Sequence, residues 1–464
     1  MAGIGFSLKR MMAKGTYFSA LQAYLFSTFI SSGPWILSIL TLFCLSAFAP
    51  HTLDLFELVY FRALTVYIFT FSLIGIGVFQ YPLTRYLADR LYIGEKDAMV
   101  PVLNTSTAGV MIFQLATAVI FAGPAGEDFQ VFVLSVLTYF VITLIWLVMV
   151  FLTALKDYLT IGIAYAAGAV VTVAASLYLG EHYGLKGYLG GYLAGHLVIV
   201  AVWCVRIFVE FPSNRAFDPD FWDFFLRHRL LIITGFFYAL GLWADKIVFW
   251  LSPHAISIMP GLRVFPTYES SVFAAYLTII PALTMFLVQV ETGFYPHYKR
   301  FYMAISAKAS LGVLRRLKEA MLAGLREQMS LVVRYQGILS LIVILLAPQI
   351  SGLIGIKGVQ VLIFRMAVLG AYLHSLLLII LLIILYFDFQ KMAAAVSVLF
   401  FAANAVLTYY ASKSPAPYFA AGYTLASFIS LALAYYWLGA KLKKLEFITF
   451  SGQPMAVHRQ EEVI

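Results

Sequence analysis

From residue 20 almost to its end the chain alternates long apolar runs with short polar interruptions. A run of about 20 apolar residues crosses a bilayer core as a helix. The pattern predicts twelve such spans: 20–48, 57–83, 101–123, 131–155, 158–180, 186–209, 229–252, 270–296, 331–353, 360–387, 391–411 and 417–440. An even number puts both termini on one side. Six spans in 1–210 and six in 229–464 suggest two lobes, joined by an amphipathic linker at 211–228 that is expected at the membrane surface.

A second polar stretch, "KRFYMAISAKASLGVLRRLKEAMLAGLREQMS" (299–330), sets Leu311, Leu314, Met321, Leu325 and Met329 along one helical stripe. Arg315, Arg316, Lys318 and Arg326 surround that stripe, so the pattern predicts a basic amphipathic helix. It would rest on anionic lipid or dock a cytoplasmic partner. One interruption falls inside a run: "FISSGPWILSI" puts Ser31, Ser32, Gly33 and Pro34 in mid-span. Proline removes a backbone donor and glycine is a weak helix former. A helix break is expected at Gly33 and Pro34, either as a packed kink or as the wall of a watery cavity. Ser31 and Ser32 would then satisfy freed carbonyls or touch substrate.

Composition sharpens this reading. Of 464 residues, 62% are hydrophobic and 11% charged, against about 25% charged in soluble domains. The chain is therefore read as an all-α polytopic membrane protein. The first run is too long for the apolar core of a cleaved signal and should be retained. No loop is long enough for a catalytic domain, and no phosphate-binding loop, metal-ligand cluster or nucleophile elbow occurs. No enzymatic activity, metal or cofactor is expected. "DPD" at 218–220 spells a D-x-D motif but lacks a nucleotide-binding pattern around it. Cys44 and Cys204 fall in separate spans and read as packing residues.

Under the twelve-span topology, 24 of the 31 lysines and arginines lie at the termini and even-numbered connections. This asymmetry predicts cytoplasmic termini. The net charge of +9 then reflects topology and attraction to anionic lipid, not nucleic-acid binding.

Each ionisable group within a span costs about 2.5–3.5 kcal/mol, which makes it a candidate for function. "GLWADKIVFW" carries Asp245 and Lys246. Adjacent helical positions point about 100° apart and need not pair. Asp245 is expected to face a wet lumen, or else to tie two helices through a basic partner; Lys246 would snorkel outward. Glu291 in "VQVETGFYPH" is a candidate gate near a span end. His196 and His374 are candidates for the pathway, or satisfied core histidines. Gly187, Gly191 and Gly195 form a small-residue stripe that lets another backbone approach. The 29 tyrosines supply apolar rings with hydroxyls, suited to interfacial belts or to sugar faces.

The opening "MAGIGF", the basic "LKRMM", the "AYL…ISSGPW" break, "GVFQYPLTRYLADRLY" and "GLWADKIVFW" resemble the PelG family, the inner-membrane transporter of the Pel exopolysaccharide system. The resemblance runs over essentially the whole chain. It implies a member of the multidrug/oligosaccharidyl-lipid/polysaccharide exporter superfamily, with twelve transmembrane helices in two six-helix lobes around a central cavity. It also implies a bacterial inner-membrane location and export of an N-acetylhexosamine-rich polymer. A PelF-like cytoplasmic glycosyltransferase and PelD- and PelE-like membrane proteins would be its partners. The family supplies no site residues. The expected function is a conduit coupled to polymer synthesis. Its competitors are a cation-coupled exporter of small molecules or lipid-linked oligosaccharide, and an assembly platform for the synthase.

Overall fold

The computed structural model describes residues 17–49, 52–123, 126, 128–155 and 157–451. Helix dominates. The first half comprises α1 (Tyr17–Phe48), α2 (Leu55–Tyr92), α3 (Met99–Thr117), α4 (Phe129–Leu155) and α5 (Tyr158–Glu210). A short α6 (Asp220–Arg227) leads to α7 (Arg229–Leu251) and a small hairpin, β1 (Ile256–Met259) and β2 (Leu262–Val264). There follow α8 (Pro266–Leu277), α9 (Ile280–Gln289), a π-helical turn at Val290–Phe294, α10 (Tyr295–Ser306), α11 (Leu311–Leu345) and α12 (Ala347–Leu353). Then come α13 (Val359–Tyr386), α14 (Gln390–Ala411), α15 (Ala421–Lys443) and α16 (Leu445–Ser451). Among the described residues, ten helices are long and apolar enough to cross a membrane.

One of those ten is not a straight rod. Its 53 residues would extend about 80 Å, against a hydrocarbon core of about 30 Å. At Gly184 the backbone turns to φ 56°, a region open to glycine, and the chain doubles back. A Cβ added to Gly187 would lie 1.9 Å from the Leu179 carbonyl oxygen, one on Gly191 2.2 Å from the Ser176 nitrogen, and one on Gly195 1.9 Å from Thr172 Oγ1. Ser176 Oγ donates to the Tyr188 carbonyl at 3.0 Å. The glycine stripe thus faces the first arm, backbone to backbone, and α5 is two antiparallel helices. The Leu185 amide beyond the turn donates to Glu57 Oε1 at 3.2 Å. Glu57 also belongs to the capping box with Asp54 that starts α2.

Two expectations need correction. Helix α1 runs without interruption through Gly33 and Pro34. A proline removes one hydrogen bond of the ladder, and hydrocarbon offers the rest no competing partner. Gly33 is buried, whereas the side chains of Ser31, Ser32 and Pro34 lie outside the described residues. The basic stretch 299–330 is likewise not one surface helix. It ends α10, turns at Lys308 (φ 54°) and starts α11, whose 35 residues reach about 52 Å and so overshoot the bilayer. Leu314, Met321 and Leu325 are buried in an apolar cluster with Phe301 of α10, Leu442 of α15 and Leu445 of α16. The middle of the stripe is covered by the protein itself, Met329 is partly buried, and Leu311 at its start is exposed.

Side chains gather into four apolar clusters. Two consist wholly of residues from Phe249 onward. The other two are built mainly from α1–α5, with guests from the second half: Val288 in one, and Trp250, Leu262 and Val264 in the other. The linker is also a guest, because Phe221 and Phe225 of α6 are buried in the first of these. Its apolar face therefore packs on protein. Asp218 of "DPD" accepts from Tyr86 Oη at 2.9 Å, and its amide donates to Thr105 Oγ1 at 2.8 Å. Asp218 thus fastens the linker to α2 through its carboxylate and to α3 through its backbone amide.

The glycine stripe can be tested with two neighbours. Gly191→Leu should cost at least about 1–3 kcal/mol through overpacking, read as a large fall in the thermal midpoint in detergent. Gly190→Ala, where an added Cβ meets nothing within 4 Å, should leave the midpoint unchanged.

Candidate transport site

Along α7, Gly241 and Asn404 of α14 make a close, bonded contact, with Asn404 Nδ2 donating to the Gly241 carbonyl at 2.9 Å. One turn further, Asp245 and Lys246 are 0% and 5% exposed. Lys246 Nζ donates to both Asp245 carboxylate oxygens, at 3.0 and 3.1 Å, to Tyr276 Oη at 2.7 Å and to the Leu242 carbonyl at 3.1 Å. Tyr268 Oη donates to Asp245 Oδ2 at 2.7 Å. The ammonium also sits 4.4 Å from the Tyr276 ring centroid, 5.6 Å from Trp243 and 5.8 Å from Tyr423. The two neighbours pair despite their angular separation because the lysine stem bends back one turn to Leu242. Asp245 is enclosed here by Lys246 and Tyr268 rather than opened to a lumen.

Around this pair lie two further ionisable groups. Glu269 of α8 accepts from Trp250 Nε1 at 2.6 Å and from the Phe265 amide at 2.7 Å. His374 of α13 is bonded through Nε2 to Tyr238 Oη at 3.1 Å, and among the described residues its Nδ1 has no partner. His196 sits elsewhere, in the second arm of α5. Its Nδ1 bonds the Tyr192 carbonyl at 2.8 Å, and it lines a cavity of about 10 Å³ with Ser38, Thr41, Tyr165 and Thr172. That is room for about one water. The two histidines therefore belong to different halves and share no site.

The halves meet where α1 packs on α9 and, more extensively, along α2. Its Gly77 meets Gly235 of α7 so closely that a Cβ on Gly235 would lie 2.1 Å from the Gly77 carbonyl oxygen. Thr284 of α9 bonds Thr28 of α1 at 3.1 Å. Toward the β-hairpin, Tyr67 stacks on Trp250 with centroids 4.4 Å apart. Its hydroxyl donates to the Arg263 carbonyl at 2.9 Å and accepts from the Arg263 amide at 3.1 Å. Leu262 and Val264 insert into the first-half core beside it. At the opposite end, Arg85 and Asp388 form a half-exposed pair at 3.2 Å.

Glu291 falls in the π-helical turn at Val290–Phe294; its side chain lies outside the described residues. Of the basic candidates, Arg315, Arg316 and Arg326 are exposed. Lys318 is instead largely buried and paired with Glu446 at 2.6 Å. Sequence reading missed Glu269, the three tyrosines around Asp245 and the β-hairpin clasp. The hairpin had a signal: "ISIM-PG-LRV" alternates across a Pro-Gly turn, and Gly261 has φ 77°.

Residues 1–450 match the profile of a family described as "PelG: Putative exopolysaccharide Exporter (EPS-E)". The chain belongs to the PelG family. Its fold is that of MATE and related MOP-superfamily transporters. A MATE crystal structure in the bent conformation is similar with a TM-score of 0.63 at 13% identity, over 97% of this chain and 100% of that one. An outward-facing multidrug resistance MATE transporter gives 0.61 at 14% identity, over 91% and 96%. A MOP-superfamily transporter from Pyrococcus furiosus gives 0.59 at 13%, over 91% and 95%. No curated protein sequence matches the chain. At such identities the likeness establishes the fold, and the PelG family establishes a multi-pass membrane exporter.

Two outcomes follow. Tyr67→Phe removes both backbone bonds to Arg263 and should lower protection of 256–264 by about 1–2 kcal/mol, measured by hydrogen exchange. Burial pushes the Glu446 carboxyl up, but its bond to Lys318, a backbone amide bond and the charges of Lys318 and Arg315 together outweigh this and hold it below the usual carboxylate range. That contribution is present above the unfolded-state value near pH 4.3 and is lost as pH falls through the lowered folded value. Exchange at 445–449 should therefore differ between wild type and Glu446→Gln at pH 7, and the two should converge on acidification.

Proposed function

We propose that this chain exports the Pel exopolysaccharide across the bacterial inner membrane, with both termini cytoplasmic, as a conduit for a polymer pushed by its own synthesis. The observation that carries this reading is the match of an exporter family over residues 1–450 to a chain of MATE-like architecture. We read it as a transporter, not an enzyme. A long polymer cannot be enclosed in one pocket, so threading suits it better than capture and release.

Coupling would come from a PelF-like glycosyltransferase held at the basic face, with PelD- and PelE-like membrane proteins completing the assembly. Charge distribution supports that placement. Around the linker, Arg90 pairs with Glu95 and Asp220, Arg206 with Asp157 and Glu210, and Arg215 with Asp97. By contrast Arg315, Arg316 and Arg326 on α11, and Lys441, Lys443 and Lys444 at the C-terminal end of α15, are exposed. None of these six has a salt bridge among the described residues. Their positive field would steer an acidic surface toward that end of the second half. Anionic lipid headgroups would share the rim.

Arg315→Glu with Arg316→Glu tests the coupling. Secretion and recovery of the synthase with this chain should both drop at least about tenfold, while membrane level and thermal midpoint persist. Polymer trapped across the membrane and still attached to its synthase is the expected intermediate. Recovery of lipid-linked repeat units in its place would overturn the conduit.

A further inference from the structure

We infer that the cluster around Asp245 is a cation-binding site whose occupant is built into the chain: the Lys246 ammonium. The geometry is that of a liganded cation. One carboxylate contributes two oxygens at 3.0 and 3.1 Å, a tyrosine hydroxyl lies at 2.7 Å and a backbone carbonyl at 3.1 Å. Three aromatic rings close the remaining sides with centroids 4.4–5.8 Å away. Carboxylate, hydroxyl and carbonyl oxygens are the donors that hold small monovalent cations, and an aromatic enclosure attracts ammonium ions.

Other readings of the pair fit less well. A snorkelling lysine would extend its amine toward the headgroups, whereas this one turns inward and is 7% exposed along its side chain. A bare helix-to-helix tie would not need both charges on α7, at consecutive positions. What joins the helices is the tyrosine set: Tyr268 reaches Asp245 and Tyr276 receives Lys246, both from α8. The charges are thus the centre of a small shell drawn from α7, α8 and α15. The other ionisable groups near it are engaged elsewhere, Glu269 with Trp250 and the Phe265 amide, and His374 with Tyr238.

Because the occupant is covalently attached, the site is filled whatever the concentration of sodium, potassium or alkylammonium ions outside. This half of the bundle is then locked without drawing on an ion gradient. On the export reading above, the work of translocation has to enter through the polymer, not through cation exchange at α7.

The test removes the occupant and offers a replacement. Purified full-length wild type, Lys246→Ala and the double variant Asp245→Asn/Lys246→Met are melted in sodium, potassium or methylammonium chloride. N-methylglucamine chloride at equal ionic strength is the bulky control. Wild type should show one midpoint in all four salts. Lys246→Ala should fall well below it in N-methylglucamine and recover at least half of the loss in sodium or methylammonium. The double variant, which lacks the carboxylate, should be indifferent to the salt. A wild-type midpoint that rises with one small cation overturns the inference. So does a Lys246→Ala chain that no small cation restores, whether by an unmoved midpoint or by no folded protein in any salt, when the double variant folds. The readout needs no substrate, so it stands or fails separately from the export proposal.

Discussion

Hydrocarbon gives a polypeptide nothing to hydrogen-bond with, so each polar group placed there has to find its partner inside the chain. The structure is organised around that constraint. Backbone groups are satisfied by long helices, and hydroxyls repeatedly turn back on carbonyls one turn earlier, as Thr65 does to Phe61 and Thr234 to Leu230. Side chains that cannot do so locally are gathered into a few compact groups. The most demanding is Asp245 with Lys246, since removing one member of such a buried pair strands the other at a cost of about 3–5 kcal/mol. Tyrosines serve as its envelope because each brings an apolar ring and one hydroxyl. Their abundance, which in sequence suggested sugar contacts or interfacial belts, is partly explained by this structural work.

The same constraint accounts for the close backbone contacts. Where helices cannot gain from expelling water, they gain from shape, and small residues let them approach. Gly187, Gly191 and Gly195 do this within α5, joining two arms of the first half. Gly77 and Gly235 do it between halves. The contrast with the linker-side ion pairs is one of environment. Arg85 and Asp388 are half exposed, and such a pair is worth about 0–1 kcal/mol. It can separate and re-form at little cost, whereas the glycine contact tolerates no intruding atom.

Much of this was legible in advance. Apolar run length and sparse charge point to a polytopic helical bundle, and the stripe from Gly187 to Gly195 shows where backbones meet. The predicted gap between spans near 181–185 coincides with the turn at Gly184. What escaped was tertiary. Nothing local in "WADK" says that a lysine will fold back over its neighbour, because the deciding atoms belong to Tyr268, Tyr276 and Tyr423. The basic amphipathic stripe was correctly patterned, but its residues Leu314, Met321 and Leu325 are covered by protein, not lipid. Periodicity reveals a face that must be covered and is silent about what covers it. At Pro34, local propensity predicted a break that the hydrogen-bonded helix did not need.

The β-hairpin has a mechanical consequence. It leaves α7 in the second half yet lodges Leu262 and Val264 in the core of the first. Withdrawing two such side chains into water costs about 1.5–3 kcal/mol each, so a spontaneous excursion of 4 kcal/mol would occur about once in a thousand. Parting the halves at the hairpin end therefore requires that free energy to be supplied, so the clasp keeps the two lobes coupled wherever nothing pulls on them.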